Sequence, residues 1–461
     1  MSTSRLALVT GATGHVGGRL VPALLDAGFR VRVLSRHPDS LASAWAERVE
    51  AVAGDASEPA DLAKSLADVD VAYYLLHSMD GEGDFEERDR EMASRFAAAA
   101  KKSGVGRMVY LSGLHPVGEL SPHLASRVEV GKILLDSGVP TAVLQAGTVI
   151  GEGSASFDML RHLSERLPLV IAPRWLKSKI QPICDDDVIH YLVGAADLPR
   201  EVNRAFDIAG PDVLTYADMM RRYASAIGLP KRRIATVPVL TPNLAGHWVG
   251  LVTPVSAGVA KPLAGSLVHD AVASENDIDE YVSPPEGGLA GFEESVHRAT
   301  KDVDTRAWSR SVKTSAAIVG VTALVGSLLT DPNSRWYKSL DLPPWQPPAL
   351  AFPVVWSALY AGTTVASAAA IAELPEPQAN SFKTALVANM VLNAGWSGVF
   401  FRAHRPVAAT VVAGALAASS ADLARRAGAS PGTLRKLTLG SYAAWCTFAT
   451  ALSGDIARRN R

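Results

Sequence analysis

The residues best placed to do chemistry stand near the start of the chain, where Leu6-Ala-Leu-Val-Thr10 runs into Gly11-Ala-Thr13-Gly14-His15-Val16-Gly17. Three glycines at this spacing let a strand turn tightly and open a helix. They allow the turn, a close approach of backbone to a pyrophosphate, and close helix–strand packing, while the helix N-terminus favours the phosphates. Gly11, Thr13, Gly14, His15, Val16 and Gly17 are therefore candidate nucleotide contacts. A second strand at 31–35 follows at the distance the motif requires. The usual ribose-binding acid is missing after it, and Ser35-Arg36 stands there instead. A guanidinium suits a 2′-phosphate, so NADP(H) is expected over NAD(H). Asp55, after a third strand at 49–53, is a candidate acceptor for the adenine amino group. Leu76, at the end of a fourth strand at 69–76, joins the candidate set.

Further strands are expected at 106–111 and 142–145. Strands alternating with helices in this way give an α/β, doubly wound parallel sheet of the Rossmann type. Tyr110-Leu-Ser112-Gly113-Leu114, Ser126-Arg-Val-Glu-Val-Gly-Lys132, Gln181-Pro-Ile and Ala209-Gly-Pro-Asp-Val-Leu-Thr215 add to the glycine motif. With them, residues 1–300 resemble the atypical extended short-chain dehydrogenase/reductases, close to NmrA-like NAD(P)-binding proteins. The resemblance implies a small C-terminal lobe that forms a substrate cleft. It also implies a proton-donating Tyr four residues before a Lys, with a Ser nearby. Ser112 and Lys132 fit as catalytic residues, but Val128 occupies the Tyr position and valine cannot exchange a proton. His77, Ser78 and His115 are possible substitutes. Asp185-Asp186-Asp187 reads as a helix cap and dipole partner, and no metal site is expected.

The composition separates this half from the rest. Of the 91 charged residues, only 18 fall in the last 148 positions, as do five of the nine tryptophans. Two differently built halves must meet near residue 313. Uncharged runs span 314–330, 342–372, 384–401, 406–421 and 437–454. A run of 16–18 helical residues covers most of a ~30 Å hydrocarbon layer, so five membrane helices in an all-α bundle are expected. Residues 301–313 read as a linker. Residues 234–260 also lack charge, but Pro238, Pro242 and Pro254 interrupt them, and they read as an apolar wall or lid of the first half. A net charge of −1 argues against nucleic-acid partners, and two cysteines in different halves argue against a disulfide framework.

The aromatic pattern of the tail is ordered. It runs Trp336-Tyr337, Leu342-Pro-Pro-Trp345-Gln-Pro-Pro348, Phe352-Pro-Val-Val-Trp356, Asn393-Ala-Gly-Trp396, Phe400-Phe401, His404-Arg-Pro406 and Tyr442-Ala-Ala-Trp445. Residues 314–461 thereby resemble the TspO/MBR family, the tryptophan-rich sensory proteins. The resemblance implies a five-helix membrane protein, often a homodimer, that binds porphyrins and other flat hydrophobic ligands. By motif position, Trp336, Tyr337, Trp356, Asn393, Trp396 and Trp445 would line that pocket. The expected whole is a multi-pass membrane protein with a cytoplasmic NAD(P)-binding head. That head is either a redox sensor coupled to the ligand pocket or an NADPH-dependent oxidoreductase acting on a hydrophobic, tetrapyrrole- or isoprenoid-like substrate.

Overall fold

A computed structural model describes the chain except residues 1–3, 77–84, 117, 119, 238–248, 250–252, 256 and 429–432. His77, Ser78 and most of the expected lid therefore lie outside the described residues. The chain divides into two compact units, Met1–Val303 and Asp304–Arg461.

The first unit is built on seven strands: β1 (Leu6–Thr10), β2 (Arg30–Ser35), β3 (Glu50–Ala53), β4 (Val71–Tyr74), β5 (Arg107–Gly113), β6 (Thr141–Ala146) and β7 (Arg204–Ile208). Their order is β7-β6-β5-β4-β1-β2-β3, with every neighbouring pair parallel. This is the expected doubly wound sheet with one more strand, β7, than the sequence suggests. All five residues of β1 are buried, as a parallel strand covered on both faces requires. One face packs Val9, Val31, Tyr73, Val109 and Leu144 against helix α1 (His15–Asp26). The other packs Leu8, Leu34, Tyr74, Met108 and Tyr110 under the next three helices. These are α2 (Pro59–Ser65), α3 (Phe85–Lys102) and α4 (Pro122–Leu135). Ser121 starts α4, its Oγ accepting from Leu124 N at 3.3 Å, with Pro122 at the first helical position.

A smaller lobe follows. It comprises α5 (Ala155–Arg166), α6 (Asp185–Gly194), α7 (Tyr216–Ala226), α8 (Ala257–Ser266) and α9 (Phe292–Ala299), with three two-stranded pairings. Its own core gathers Phe157, Leu160, Met219, Tyr223, Phe292 and Val296, while α6 returns to the first face of the sheet through Val188 and Leu192.

The second unit is all-α. Its long helices are α10 (Ala307–Leu329), α11 (Ala351–Glu373), α12 (Glu376–Ser397), α13 (Pro406–Ala427) and α14 (Thr433–Arg459). Among the described residues, α10, α11, α12 with the π-turn that follows it, and α13 are long and apolar enough to cross a membrane. The fifth, α14, carries Arg435, Lys436, Asp455, Arg458 and Arg459 near its ends. The expected linker is shorter than the sequence suggested, because α10 already begins at Ala307. No glycine or proline interrupts 307–313, so the helix starts before the uncharged run does. The Pro343–Pro348 stretch is loop, as prolines without backbone donors require.

Candidate functional site

The turn after β1 is held by contacts that only glycine allows. Gly11 has φ +74°, and a Cβ there would lie 2.7 Å from Leu75 O. A Cβ on Gly17 would lie 2.3 Å from Gly11 O and 2.8 Å from Ala12 Cα, so α1 rests directly on the turn. Gly14 N donates to Gly11 O at 3.0 Å, and Thr10 Oγ1 donates to Tyr73 O at 3.0 Å, tying the turn to the end of β4. The free N–H groups at the start of α1 face the crevice where the strand order reverses between β1 and β4.

A cavity of about 270 Å³ opens beside this turn, over the ends of β1, β2 and β3. Gly11, Thr13, Arg36, Asp55 and Leu76 all line it, so five of the expected nucleotide contacts share one wall. Asp55 Oδ1 accepts from Ser57 N and Ser57 Oγ, both at 2.8 Å. The Ser57 N–H, with its hydroxyl and the Arg36 charge, holds the Asp55 carboxyl below the usual carboxylate range. The His15 ring points elsewhere. Its Nε2 lies 3.5 Å from Asp185 Oδ2, and burial pushes its pKa below the ordinary imidazole value. Val16 packs on the sheet core, so His15 and Val16 offer the crevice their backbone alone.

On the other side of the switch point, Ser112 and Gln145 are register partners at the ends of β5 and β6. Ser112 is 3% exposed, and its Oγ has no hydrogen-bond partner. Gln145 Nε2 lies 3.1 Å from His115 Nε2. Lys132 follows the buried Gly131 on α4. It stands on the exposed face of α4, whereas Leu124, Ser126, Val130, Gly131 and Leu134 are buried.

In the second unit the expected ligand residues fall into two adjoining groups. Trp356 meets Tyr360 at 5.5 Å and Trp445 at 6.5 Å between ring centroids. The Trp445 indole Nε1 is buried without a partner. Trp336 stacks on His404 at 4.3 Å, Tyr337 meets Phe401 at 5.5 Å, and Trp396 stacks on Phe400 at 5.2 Å. Phe352 and Phe448 join the groups, touching Trp445 and packing with the Phe400 cluster. Phe400 and Phe401 sit on the π-turn Gly398–Arg402, a geometry common at functional sites.

The sequence matches an NAD(P)H-binding family over residues 11–137 and the TspO/MBR family over residues 314–459. The chain is a fusion of an NAD(P)H-binding domain with a TspO/MBR domain. Its first half is similar to a (4-alkanoyl-5-oxo-2,5-dihydrofuran-3-yl)methyl phosphate reductase of Streptomyces griseus. The two are 30% identical over 234 residues, covering 49% of this chain and 75% of that one. It is also 28% identical over 298 residues to a ceramide reductase of Caulobacter vibrioides, covering 62% and 92%. Among solved structures, a triphenylmethane reductase of Citrobacter sp. in complex with NADP(H) shares the fold, with a TM-score of 0.51 at 17% identity. That match covers 64% of this chain and 99% of the other.

Within the TspO/MBR domain, Asn393 has a structural duty that its motif position does not reveal. Tyr360 donates to Asn393 Oδ1 at 2.7 Å, and Asn393 Nδ2 donates to the Tyr442 hydroxyl oxygen at 3.2 Å. The Tyr442 hydroxyl donates to Asn389 Oδ1 at 2.9 Å, and Asn389 Nδ2 donates to Ser420 Oγ at 3.0 Å. This ladder links α11, α12, α13 and α14. Both Asn393 amide atoms face side chains of the domain itself. Trp396 Nε1 likewise donates to Ser453 Oγ at 3.2 Å.

In the NAD(P)H-binding half, Asp185–Asp187 open α6, and their carboxylates answer separate partners. Asp185 lies 3.3 Å from Arg19, Asp186 2.5 Å from Arg19 and 3.3 Å from Arg298, and Asp187 accepts from Ala290 N at 2.9 Å. Cys184, Asp185 and Asp186 bring their donor atoms within 4.8 Å of one another, yet the two carboxylates are engaged by arginines. A cation would have to displace those arginines.

Proposed function

We propose that the chain is a membrane-held, NADPH-dependent reductase for a hydrophobic carbonyl compound, with a TspO/MBR domain that holds a flat apolar ligand. The observation that carries the reading is the division of the crevice at the strand switch point. A glycine cradle and an Arg36–Asp55 cavity lie on one side, and a buried polar group with no partner, Ser112 Oγ, on the other. The residues present fit a dinucleotide, because glycine at 11 and 17 lets the turn close on β4 and α1 close on the turn, beside the cavity that Arg36 and Asp55 line. Bound NADPH would supply a hydride from its dihydronicotinamide ring. The chain's part is to clamp the adenosine end between Arg36 and Asp55, fix the phosphates at the start of α1, and aim the other end toward β5 and β6. Relatives named as reductases support turnover, and the name of one, a ceramide reductase, supports an apolar substrate.

In the same reading the helices cross the membrane as a multi-pass bundle with the head in the cytoplasm. Trp356 and Trp445 hold a porphyrin or similar ring by stacking, and the bundle pairs as a homodimer. Val128, where a phenol would be expected, favours the second reading, in which NADPH is bound without turnover and reports redox state to the ligand pocket.

Full-length protein in lipid nanodiscs, given NADPH and either a quinone, a long-chain ketone or a porphyrin, separates the two. NADPH oxidation that depends on the acceptor supports the reductase. Binding without oxidation, with NADPH shifting porphyrin affinity, returns the sensor. If Trp356→Phe and Trp445→Phe both bind porphyrin as wild type does, the aromatic groups are packing alone.

A further inference from the structure

The face that α4 turns toward the sheet carries a cation that the motif reading passed over. A Cβ on Gly131 would lie 3.4 Å from Val143 Cγ1 and 3.7 Å from Tyr110 Cε1, so this turn of α4 rests on β5 and β6 at that level. The Tyr110 hydroxyl donates to Arg127 O at 3.4 Å, which places the preceding turn of the helix just above. Helix and strands run in opposite directions here. One turn back along α4 rises ~5.4 Å, and two residues onward along β5 or β6 rise ~6.6 Å. The first step leads from Gly131 to Arg127. The second leads from Tyr110 and Val143 to Ser112 and Gln145, on the same sheet face because side chains alternate. Arg127 therefore stands at the level of Ser112 and Gln145, at the carboxyl ends of the strands. Lys132, five residues further along the helix, lies about 140° around it and is exposed.

Two buried polar atoms on these facing elements have no hydrogen-bond partner: Arg127 Nε on α4 and Ser112 Oγ on β5. Buried donors without acceptors are uncommon, and two at one level of one crevice point to a ligand group that completes them. The cavity lined by Arg36 and Asp55 takes the adenosine end on the β2–β3 side, so the hydride-bearing end of the nucleotide runs toward β5 and this pair.

We infer that Arg127, with Ser112, binds the acceptor's carbonyl oxygen and carries its negative charge as hydride arrives. This rests on the reductase reading above. Bound NADPH would supply the hydride, with its two electrons, to the carbonyl carbon and would be left as NADP+. The C=O π pair moves onto oxygen, and the alkoxide takes its proton from water at the open rim. A fixed cation aimed where charge develops is the arrangement that lowers such a barrier.

The test uses full-length protein in nanodiscs with NADPH and phenanthrenequinone as the dicarbonyl probe. Arg127→Ala should lower kcat by about 100-fold or more, leave NADPH affinity within threefold of wild type, and regain turnover when guanidinium is added to the buffer. Arg127→Lys keeps the charge but loses the planar fork, and should fall between the two without any loss of melting temperature. The inference is overturned if Arg127→Lys matches wild type, or if guanidinium restores nothing to a folded Arg127→Ala. Wild type that binds NADPH but never oxidises it with the probe also overturns it and leaves nucleotide binding standing. Wild type that does not bind NADPH overturns the reductase reading itself.

Discussion

Replacing Gly17 by alanine tests the cradle directly. The new methyl would lie 2.3 Å from Gly11 O, 2.8 Å from Gly11 C and 2.8 Å from Ala12 Cα. All three atoms are backbone, so no side chain can swing aside. Opening the shortest contact to 3.0 Å requires the turn and α1 to part by about 0.7 Å. A hydrogen bond to a phosphate oxygen at ~2.9 Å would stretch to ~3.6 Å over that displacement and cease to be one. A hydrogen bond to a charged group contributes ~1.5–3 kcal/mol, so losing even one weakens NADPH binding roughly 10- to 150-fold. Overpacking itself destabilises by ~1–3 kcal/mol, partly offset by the better helix propensity of alanine. The melting temperature should therefore drop only a few degrees while affinity collapses. Gly18→Ala is the matched control, since its methyl meets only Ala12 O at 3.4 Å. That variant should bind as wild type and melt no lower. Fluorescence titration of NADPH into the two full-length variants, beside thermal melts, decides. Wild-type affinity in Gly17→Ala, or an equal loss in Gly18→Ala, would refute the cradle.

Arg36→Ala should weaken NADPH about tenfold, the low end for a charge-assisted contact at an exposed site, and leave NADH unchanged. Equal affinities of wild type for both nucleotides would remove the 2′-phosphate assignment. His162 sits beside Arg161, and burial followed by the Arg161 and Arg166 charges pushes its imidazole down to about 2 from 6.5. Below pH 6.5 the unfolded chain takes up a proton that the folded head refuses. Stability is therefore full above 6.5 and declines toward pH 2, by at most ~1.4 kcal/mol per unit. His162→Asn should show a shallower fall in melting temperature between pH 7 and 5, and an unchanged slope would contradict the assignment. Tyr442→Phe strands both Asn389 Oδ1 and Asn393 Nδ2, whereas Tyr360→Phe strands only Asn393 Oδ1. Unfolding in detergent should show a loss of ~1–3 kcal/mol for the first and less for the second. The reverse order would mean that the ladder is not what joins these helices.

Most of the head was legible because its signals are local. The strand–glycine–helix motif, Arg36, Asp55 and Leu76 each sit at the end of a short strand rich in valine, leucine or alanine, and topology then carries them to one crevice. The seventh strand was harder to see, because Arg204-Ala-Phe-Asp-Ile208 is short and bears two charges. Ser112 and Lys132 are named by motif spacing, whereas Arg127 carries no motif and its half-buried place shows only in the packed helix. On α4 the buried positions are 124, 126, 130, 131 and 134, and Arg127 is half-buried beside them. In the tail, aromatic order identified the bundle, but no sequence pattern says that Asn393 is bonded to Tyr360 and Tyr442. That follows only from the packing of three helices around it.

The ladder through the bundle also bears on the order in which the chain can be completed. Asn389 and Asn393 lie on α12, made well before Tyr442 emerges on α14. Until the last helix docks, the Asn393 amide group and the Asn389 carbonyl oxygen lack their tyrosine partner. The four earlier helices are apolar enough to hold their place alone, but α14 is not among them. Beside the apolar contacts of Leu439, Cys446, Leu452 and Ile456, polar atoms wait for α14, so its docking completes the ladder. A chain stopped before residue 433 should therefore be a less stable bundle than the loss of one apolar helix would imply, and adding the final helix as a separate segment should rescue it only if Tyr442 is intact.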